Sequence, residues 1–117
     1  MGSRTEYMKL KSRERRKNPE HIRKVRSIQL FRAYGITIEE YDAMSEKQGH
    51  VCAICGNAET AMIRDTVKKL AVDHCHQSGK VRGLLCADCN RALGMFKDNI
   101  DSLEAAINYL KEASRGN

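Results

Sequence analysis

Apolar residues are sparse along this chain, and their period changes from one stretch to the next. Residues 1–17 are polar and basic with almost no apolar period, which predicts disorder or a frayed helix. A helical pattern begins at Asn18-Pro19, a pair suited to the N-cap and first position of a helix. Ile22, Val25, Ile28 and Phe31 follow at roughly helical spacing, and Gly35 offers a C-terminal stop. The other face of this helix would show Arg23, Lys24, Arg26 and Arg32. Thr37 and Glu40 stand at capping-box spacing. They predict a second helix through Lys47, with Tyr41 and Met44 inward and Gly49 at its end.

The second half changes period. Gly56-Asn57 signals a turn, and residues 58–67 are polar and ambiguous. Residues 69–72 read as a short strand carrying Asp73 to His76. Residues 77–80 read as a turn and 81–85 as the return strand, together a hairpin. A helix is expected from Asn90 to Phe96, interrupted near Gly94. Asp101 and Glu104 form a further capping box, and Leu103, Ala106, Ile107 and Leu110 make an apolar stripe read as core packing. The pattern is α+β and mostly helical, with one hairpin between basic N-terminal helices and a C-terminal helix.

Composition makes the core thin. The chain has 117 residues with two Phe, no Trp and 31% charged residues. One small domain of this kind benefits from a metal that couples binding to folding. The net charge of +6 is concentrated: residues 1–34 hold eleven Lys and Arg against three Glu, while 35–117 hold ten against twelve acidic residues. A basic arm attracts polyanions through phosphate contacts and counterion release, although a charge run alone is more often a solvated tail. No apolar run is long enough to span a membrane and no signal-peptide pattern opens the chain, so a reducing cytoplasm is expected.

In that compartment the cysteines read as metal ligands. Cys52-x-x-Cys55 and Cys86-x-x-Cys89 are separated by thirty residues, and four thiolates at this spacing make a closed tetrahedral zinc site. The odd count of five weighs against disulfides. Between the pairs lies Asp73-His74-Cys75-His76, and Asn90 follows the second pair directly. Asp and Asn offer hard oxygen ligands, and an imidazole with an ordinary pKa of about 6.5 can accept a proton from water. His74 and His76 lie two apart, so a strand would point both to one side. Their competing role is completion of the zinc site, which four cysteines already fill. Cys75 would face away as a small buried side chain. His50 reads as a packing or surface residue and His21 as solvated.

Cys52-x-x-Cys55, Leu70-Ala71-Val72-Asp73-His74-Cys75-His76 and the run from Gly79 through Cys86-x-x-Cys89-Asn90 resemble the phage recombination endonuclease VII family, within the wider HNH or His-Me finger nucleases. The resemblance covers about residues 34–112. It implies a zinc-stapled ββα-metal core, with structural Zn²⁺ on Cys52, Cys55, Cys86 and Cys89. It also implies catalytic Mg²⁺ or Mn²⁺ on Asp73 and Asn90, with His74 as general base. His76 would contact the scissile phosphate, with the base role as its fallback. Lys80 and Arg82, together with the arm's Arg23, Lys24, Arg26 and Arg32, are the expected DNA contacts. Cys75 departs from the family, where an acidic residue is common.

The resemblance divides the chain into a basic arm and helix over 1–34 and a zinc-bound nuclease domain over 35–117. The implied function is metal-dependent hydrolysis of DNA phosphodiester bonds, leaving 5′-phosphate and 3′-hydroxyl ends. The setting would be a phage-encoded enzyme in the host bacterial cytoplasm, with a homodimer through the N-terminal helices left open. Two rivals share the same residues. One is a non-catalytic zinc-containing DNA-binding module, which leaves Asp73, His74, His76 and Asn90 unexplained. The other is a toxin or host-defence nuclease with the same site.

Overall fold

Residues 4–115 are described by a computed structural model of the chain. The first helix, α1 (Arg4–Lys17), occupies most of the segment whose sequence allowed disorder or fraying, and residues 1–3 of that segment lie outside the described residues. Leu, Met, Lys, Arg and Glu are all good helix formers, so α1 needs no apolar face to be helical. Tyr7, Met8 and Leu10 remain exposed on it.

The second helix, α2 (Pro19–Tyr34), has the caps its sequence predicts. The Asn18 side chain accepts from the backbone N–H groups of Glu20 at 2.9 Å and His21 at 3.4 Å. Gly35 takes the left-handed conformation at φ 71°, and its N–H donates to Phe31 at 2.9 Å. The packed face differs from the expected one. Ile22, Val25, Ile28 and Phe31 are exposed, whereas Leu30 is buried, with Arg26 and Tyr34 half-buried a turn to either side. Steps of three residues drift about 60° backward around a helix, so Ile22 and Phe31 stand on opposite sides. Steps of four keep Arg26, Leu30 and Tyr34 together. This rotation sets two arginines against the third helix, α3 (Ile38–Lys47). Arg23 meets Asp42 at 3.0 Å, and the Arg26 guanidinium lies 4.9 Å from the Tyr41 ring centroid. His21, expected to be solvated, is half-buried.

The capping box of α3 is complete, with Glu40 N–H donating to Thr37 Oγ1 at 3.1 Å and Thr37 N–H to Glu40 Oε1 at 3.2 Å. Tyr41 is buried as expected, Met44 is half-buried against the core and Ile38 is buried as well, and the Tyr41 hydroxyl donates to the Leu70 carbonyl at 2.6 Å. The ambiguous 58–67 segment holds a short antiparallel pair, β1 (Met62–Ile63) and β2 (Thr66–Val67), exposed on both strands. Glu59 docks this segment on the rest. One of its oxygens accepts from Thr60 and Ala61, and the other accepts from the Ala87 N–H at 2.7 Å. Those donors, Ala61 first, hold its carboxyl below the usual carboxylate range.

The expected hairpin is formed by β3 (Ala71–His74) and β4 (Val81–Leu85), paired antiparallel. Helix α4 (Ala87–Met95) follows at once and packs on both strands. It begins three residues before the predicted start, because Cys86 serves as its N-cap, and Gly94 lies within it. Helix α5 (Ile100–Arg115) is capped by Asn99, whose side chain accepts from Ser102 N–H at 2.9 Å, and not by the expected Asp101 box. Its stripe is not core. No α5 residue is buried, and Ile107 and Leu110 are exposed. The core draws on Leu30, Ile36, Ile38, Tyr41, Leu70, Val72, Leu84 and Leu85 with Cys52 and Cys86, and Leu93 of α4 packs against it. Leu30 thus ties α2 to the hairpin.

Gln48, at the end of α3, bonds to β4 as a neighbouring strand would. Its Nε2 donates to the Val51 carbonyl at 2.9 Å and to the Leu84 carbonyl at 3.0 Å, while its Oε1 accepts from Leu84 N–H at 3.0 Å. Gly83 gives it room, since a Cβ there would lie 3.3 Å from Oε1. Leu84 is wholly buried, so its N–H has no access to water once the amide is gone. Gln48→Ala is therefore expected to cost about 2 kcal/mol, lowering Tm by roughly 10 °C. Thermal unfolding of the zinc-loaded variant checks this, and an unchanged Tm would show that the amide is not a structural partner of β4.

Candidate metal centre and active site

Two chain segments meet at the sulfur cluster. Gly56, at φ 72°, closes a tight turn in which its N–H donates to the Cys52 carbonyl at 3.0 Å and Cys52 N–H donates to Asn57 at 2.9 Å. This turn carries Cys52 and Cys55. The N-terminus of α4 carries Cys86 and Cys89. The Ile54 and Cys89 N–H groups donate to the sulfurs of Cys52 and Cys86, each at 3.4 Å. All four sulfurs lie within 4.8 Å of one another, and Cys55 Sγ is 3.8 Å from Cys86 Sγ. A zinc–sulfur bond of about 2.3 Å implies tetrahedral edges of about 3.8 Å, so the cluster fits a zinc ion.

The electrostatics point the same way. Burial raises the Cys52 thiol, but N–H donation from the backbone of Cys86, Cys55 and Ile54 outweighs it and brings the group down to about 6. Burial and the neighbouring sulfurs push Cys89 up to about 12. Sulfurs this close cannot all ionise unless a cation compensates them. Cys75 lies outside the cluster and is half-buried in the turn after β3. Its thiol is lowered by the Ser78 hydroxyl first and then by the Ser78 and Gln77 N–H groups.

The polar site lies at the other end of the hairpin. β3 ends at His74, so His76 is in the turn and not on the strand. Cys75 N–H donates to Lys80 at 2.8 Å and Gly79 N–H donates to Cys75 at 2.7 Å, which curls the chain back. The two imidazoles still meet edge to face, with centroids 4.9 Å apart. Their expected proximity is present, but turn geometry produces it. Tyr34 of α2 also lies against His74, with ring centroids 5.5 Å apart.

Asp73 is engaged by Arg82. The register pairs Asp73 with Gly83 but His74 with Val81, so Arg82 is an extra residue in β4. In an even ladder Arg82 would stand opposite His74. The bulge re-aims it. Its Nε reaches Asp73 Oδ2 at 2.7 Å and its Nη2 reaches Asp73 Oδ1 at 2.9 Å, a two-pronged pair. Asp73 is an anionic oxygen donor whose two oxygens are both occupied by Arg82, so a metal at this carboxylate would have to displace the guanidinium. Asn90 sits in the first turns of α4, exposed, with its backbone N–H donating to Cys86 at 3.0 Å.

Of the expected DNA contacts, Lys80, Lys24 and Arg32 are exposed, whereas Arg23 and Arg26 bond within the chain as described and Arg82 is shared among carboxylates. His50 is exposed, with its Nδ1 2.9 Å from Ser45 Oγ. Three participants carried no local signal: Tyr34 as a wall of His74, Asp98 beside Arg82 and His76, and Glu59 at the start of α4. Each acts across more than eight residues of chain, and no single-sequence spacing marks such partners.

The sulfur geometry predicts about one zinc per chain. Cys86→Ser should lower zinc content, measured by elemental analysis, and should lower Tm with it. Equal Tm before and after complete zinc removal would show that the cluster does not hold the fold.

Comparison with known proteins follows the same residues. The description "Recombination endonuclease VII" belongs to the family whose pattern matches residues 27–112, starting within α2 and ending in α5. Two relatives are both called Gene 59 protein. The one from Mycobacterium phage D29 is 46% identical over 84 residues, covering 71% of this chain and 48% of the relative. The one from Mycobacterium phage L5 is 44% identical over 82 residues, covering 69% and 47%. This chain therefore spans about half the length of the curated relatives it matches. No solved structure matches. With most of its length matched, from the half of α2 that enters the core to the last helix, this chain belongs to the recombination endonuclease VII family.

Proposed function

We propose that this chain is a metal-dependent DNA endonuclease that hydrolyses phosphodiester bonds at the Asp73–His76 end of its hairpin. The observation that carries the reading is the His74–His76 ring pair at the end of the strand that carries Asp73, in a hairpin packed on the helix bearing Asn90, in a chain of the endonuclease VII family. The hairpin and helix would form a ββα-metal site of the HNH, or His-Me finger, type. Cys52, Cys55, Cys86 and Cys89 would hold structural Zn²⁺, away from the chemistry.

Asp73 and Asn90 would hold Mg²⁺ or Mn²⁺, which supplies neutralisation of charge on the leaving oxygen. His74 takes the proton from the attacking water. Tyr34 and His76 both lie against its ring. His76, the more exposed imidazole, contacts the scissile phosphate. Lys80, Lys24 and Arg32, with the basic residues of α1, provide backbone contacts to DNA. The proposed reaction is nicking of duplex DNA or cleavage of branched DNA. The working partner is DNA in a host bacterial cytoplasm, and a homodimer would use the N-terminal helices. No helix among the described residues is long and apolar enough to cross a membrane.

His74→Ala should lower the rate of plasmid nicking by roughly 100-fold or more, while DNA affinity and zinc content stay near wild type. Loss of cleavage in His76→Ala with normal cleavage in His74→Ala would move the base role to His76. Normal cleavage in both would refute the mechanism, and no metal-dependent nicking by the wild type would favour a non-catalytic DNA-binding module. A four-way junction beside a linear duplex of the same sequence separates the substrates.

Deleting residues 1–17 should weaken DNA binding and flatten its salt dependence, while cleavage at saturating DNA survives. An unchanged slope of log Kd against log salt would mean that the segment is a solvated tail.

A further inference from the structure

Arg82 is held by two carboxylates at once. Besides its two bonds to Asp73, its Nη2 lies 3.3 Å from Asp98 Oδ2. The same Asp98 oxygen is 3.9 Å from His76 Nε2. Asp98 reaches this position from the connection between α4 and α5, where Lys97 and Asp98 both take the left-handed conformation at φ 54°. Asp98 N–H donates to Leu93 at 2.9 Å, which anchors the connection on α4. A hollow of about 420 Å³ opens beside Arg82, lined also by His76, Gly94, Lys97 and Asp98.

We infer that Asp98 is a positioning residue for the cation site: it is the carboxylate that takes over the Arg82 guanidinium when Asp73 turns to a divalent cation. The inference rests on the proposed role of Asp73 as a metal ligand. Both Asp73 oxygens are engaged by Arg82, and a divalent ion at that carboxylate meets a positive guanidinium at contact distance. Arg82 must therefore give up at least part of its hold. Without a second acceptor, that step leaves a displaced guanidinium unpaired. The bond to Asp98 is the longer one in this arrangement, so Asp98 has capacity to shorten onto Arg82 as Asp73 leaves. The hollow gives the side chain space to shift without repacking the core. The exchange keeps Arg82 paired throughout and keeps its charge beside His76.

The test is direct Mn²⁺ binding to the zinc-loaded full chain without DNA, read as free Mn²⁺ by electron paramagnetic resonance. Arg82→Gln removes the competitor and should tighten Mn²⁺ binding by about fivefold, and Asp98→Asn should weaken it by about threefold to fivefold, the range of a partly exposed ion pair. In the Arg82→Gln background, Asp98→Asn should have little further effect. Asn tolerates positive φ, so Asp98→Asn leaves the turn intact. Asp98→Gly, equally compatible with that backbone, should give the same shift. Zinc content and Tm report folding for every variant. Equal weakening in both backgrounds would overturn the inference, because Asp98 would then act on the cation through its own charge. An unchanged Kd in Asp98→Asn would also overturn it. If Asp73→Asn leaves Mn²⁺ binding intact, the metal-ligand reading itself fails and the inference with it, a result distinct from failure of the Asp98 role alone.

Discussion

Four sulfur atoms within 4.8 Å of one another set the constraint on which this fold depends. As neighbouring thiols they cannot all ionise, and as thiolates they repel unless a cation sits among them. A zinc ion would resolve the conflict and in doing so would tie the Cys52–Cys55 turn to the start of α4. That tie matters because the core is small and includes two of the ligands, Cys52 and Cys86. Gln48 and Glu59 complete the arrangement from the sides, one bonding to β4 and the other to the first N–H of α4. The hairpin is thus fixed where it meets α4, while its turn end stays polar and open.

The open end is organised by charge and by one irregularity of register. Arg82 is the extra residue in β4, and the bulge turns it onto Asp73. Around this pair stand His76, Asp98 and Lys97, while His74 lies against both His76 and Tyr34. The site is therefore built from three sources: the end of β3 with its turn, the bulged strand, and the connection after α4. Tyr34 adds a fourth element, α2, which reaches the hairpin through Leu30 and places an aromatic ring beside His74. The family pattern begins at residue 27, within the part of α2 that makes these contacts.

The sequence by itself determined what depends on local chemistry. Asn18-Pro19 and Gly35 bounded α2, Thr37 and Glu40 capped α3, and the two C-x-x-C pairs marked the sulfur cluster. These succeed because a cap or a metal knuckle is satisfied by atoms a few residues apart. The proximity of His74 and His76 was also legible, since their spacing holds the two rings together whether strand or turn carries them. Tertiary structure decided the rest. It chose which face of α2 is buried, because the core takes Leu30, with Tyr34 packed against it, and not the most apolar stripe. It left the α5 stripe outside the core, with Ile107 and Leu110 exposed. It recruited Gln48, Glu59 and Asp98 as partners of distant atoms, and it re-aimed Arg82 through a bulge. Hydrogen-bond partners distant along the chain and a one-residue register shift have no periodicity to announce them, so only the folded chain shows them.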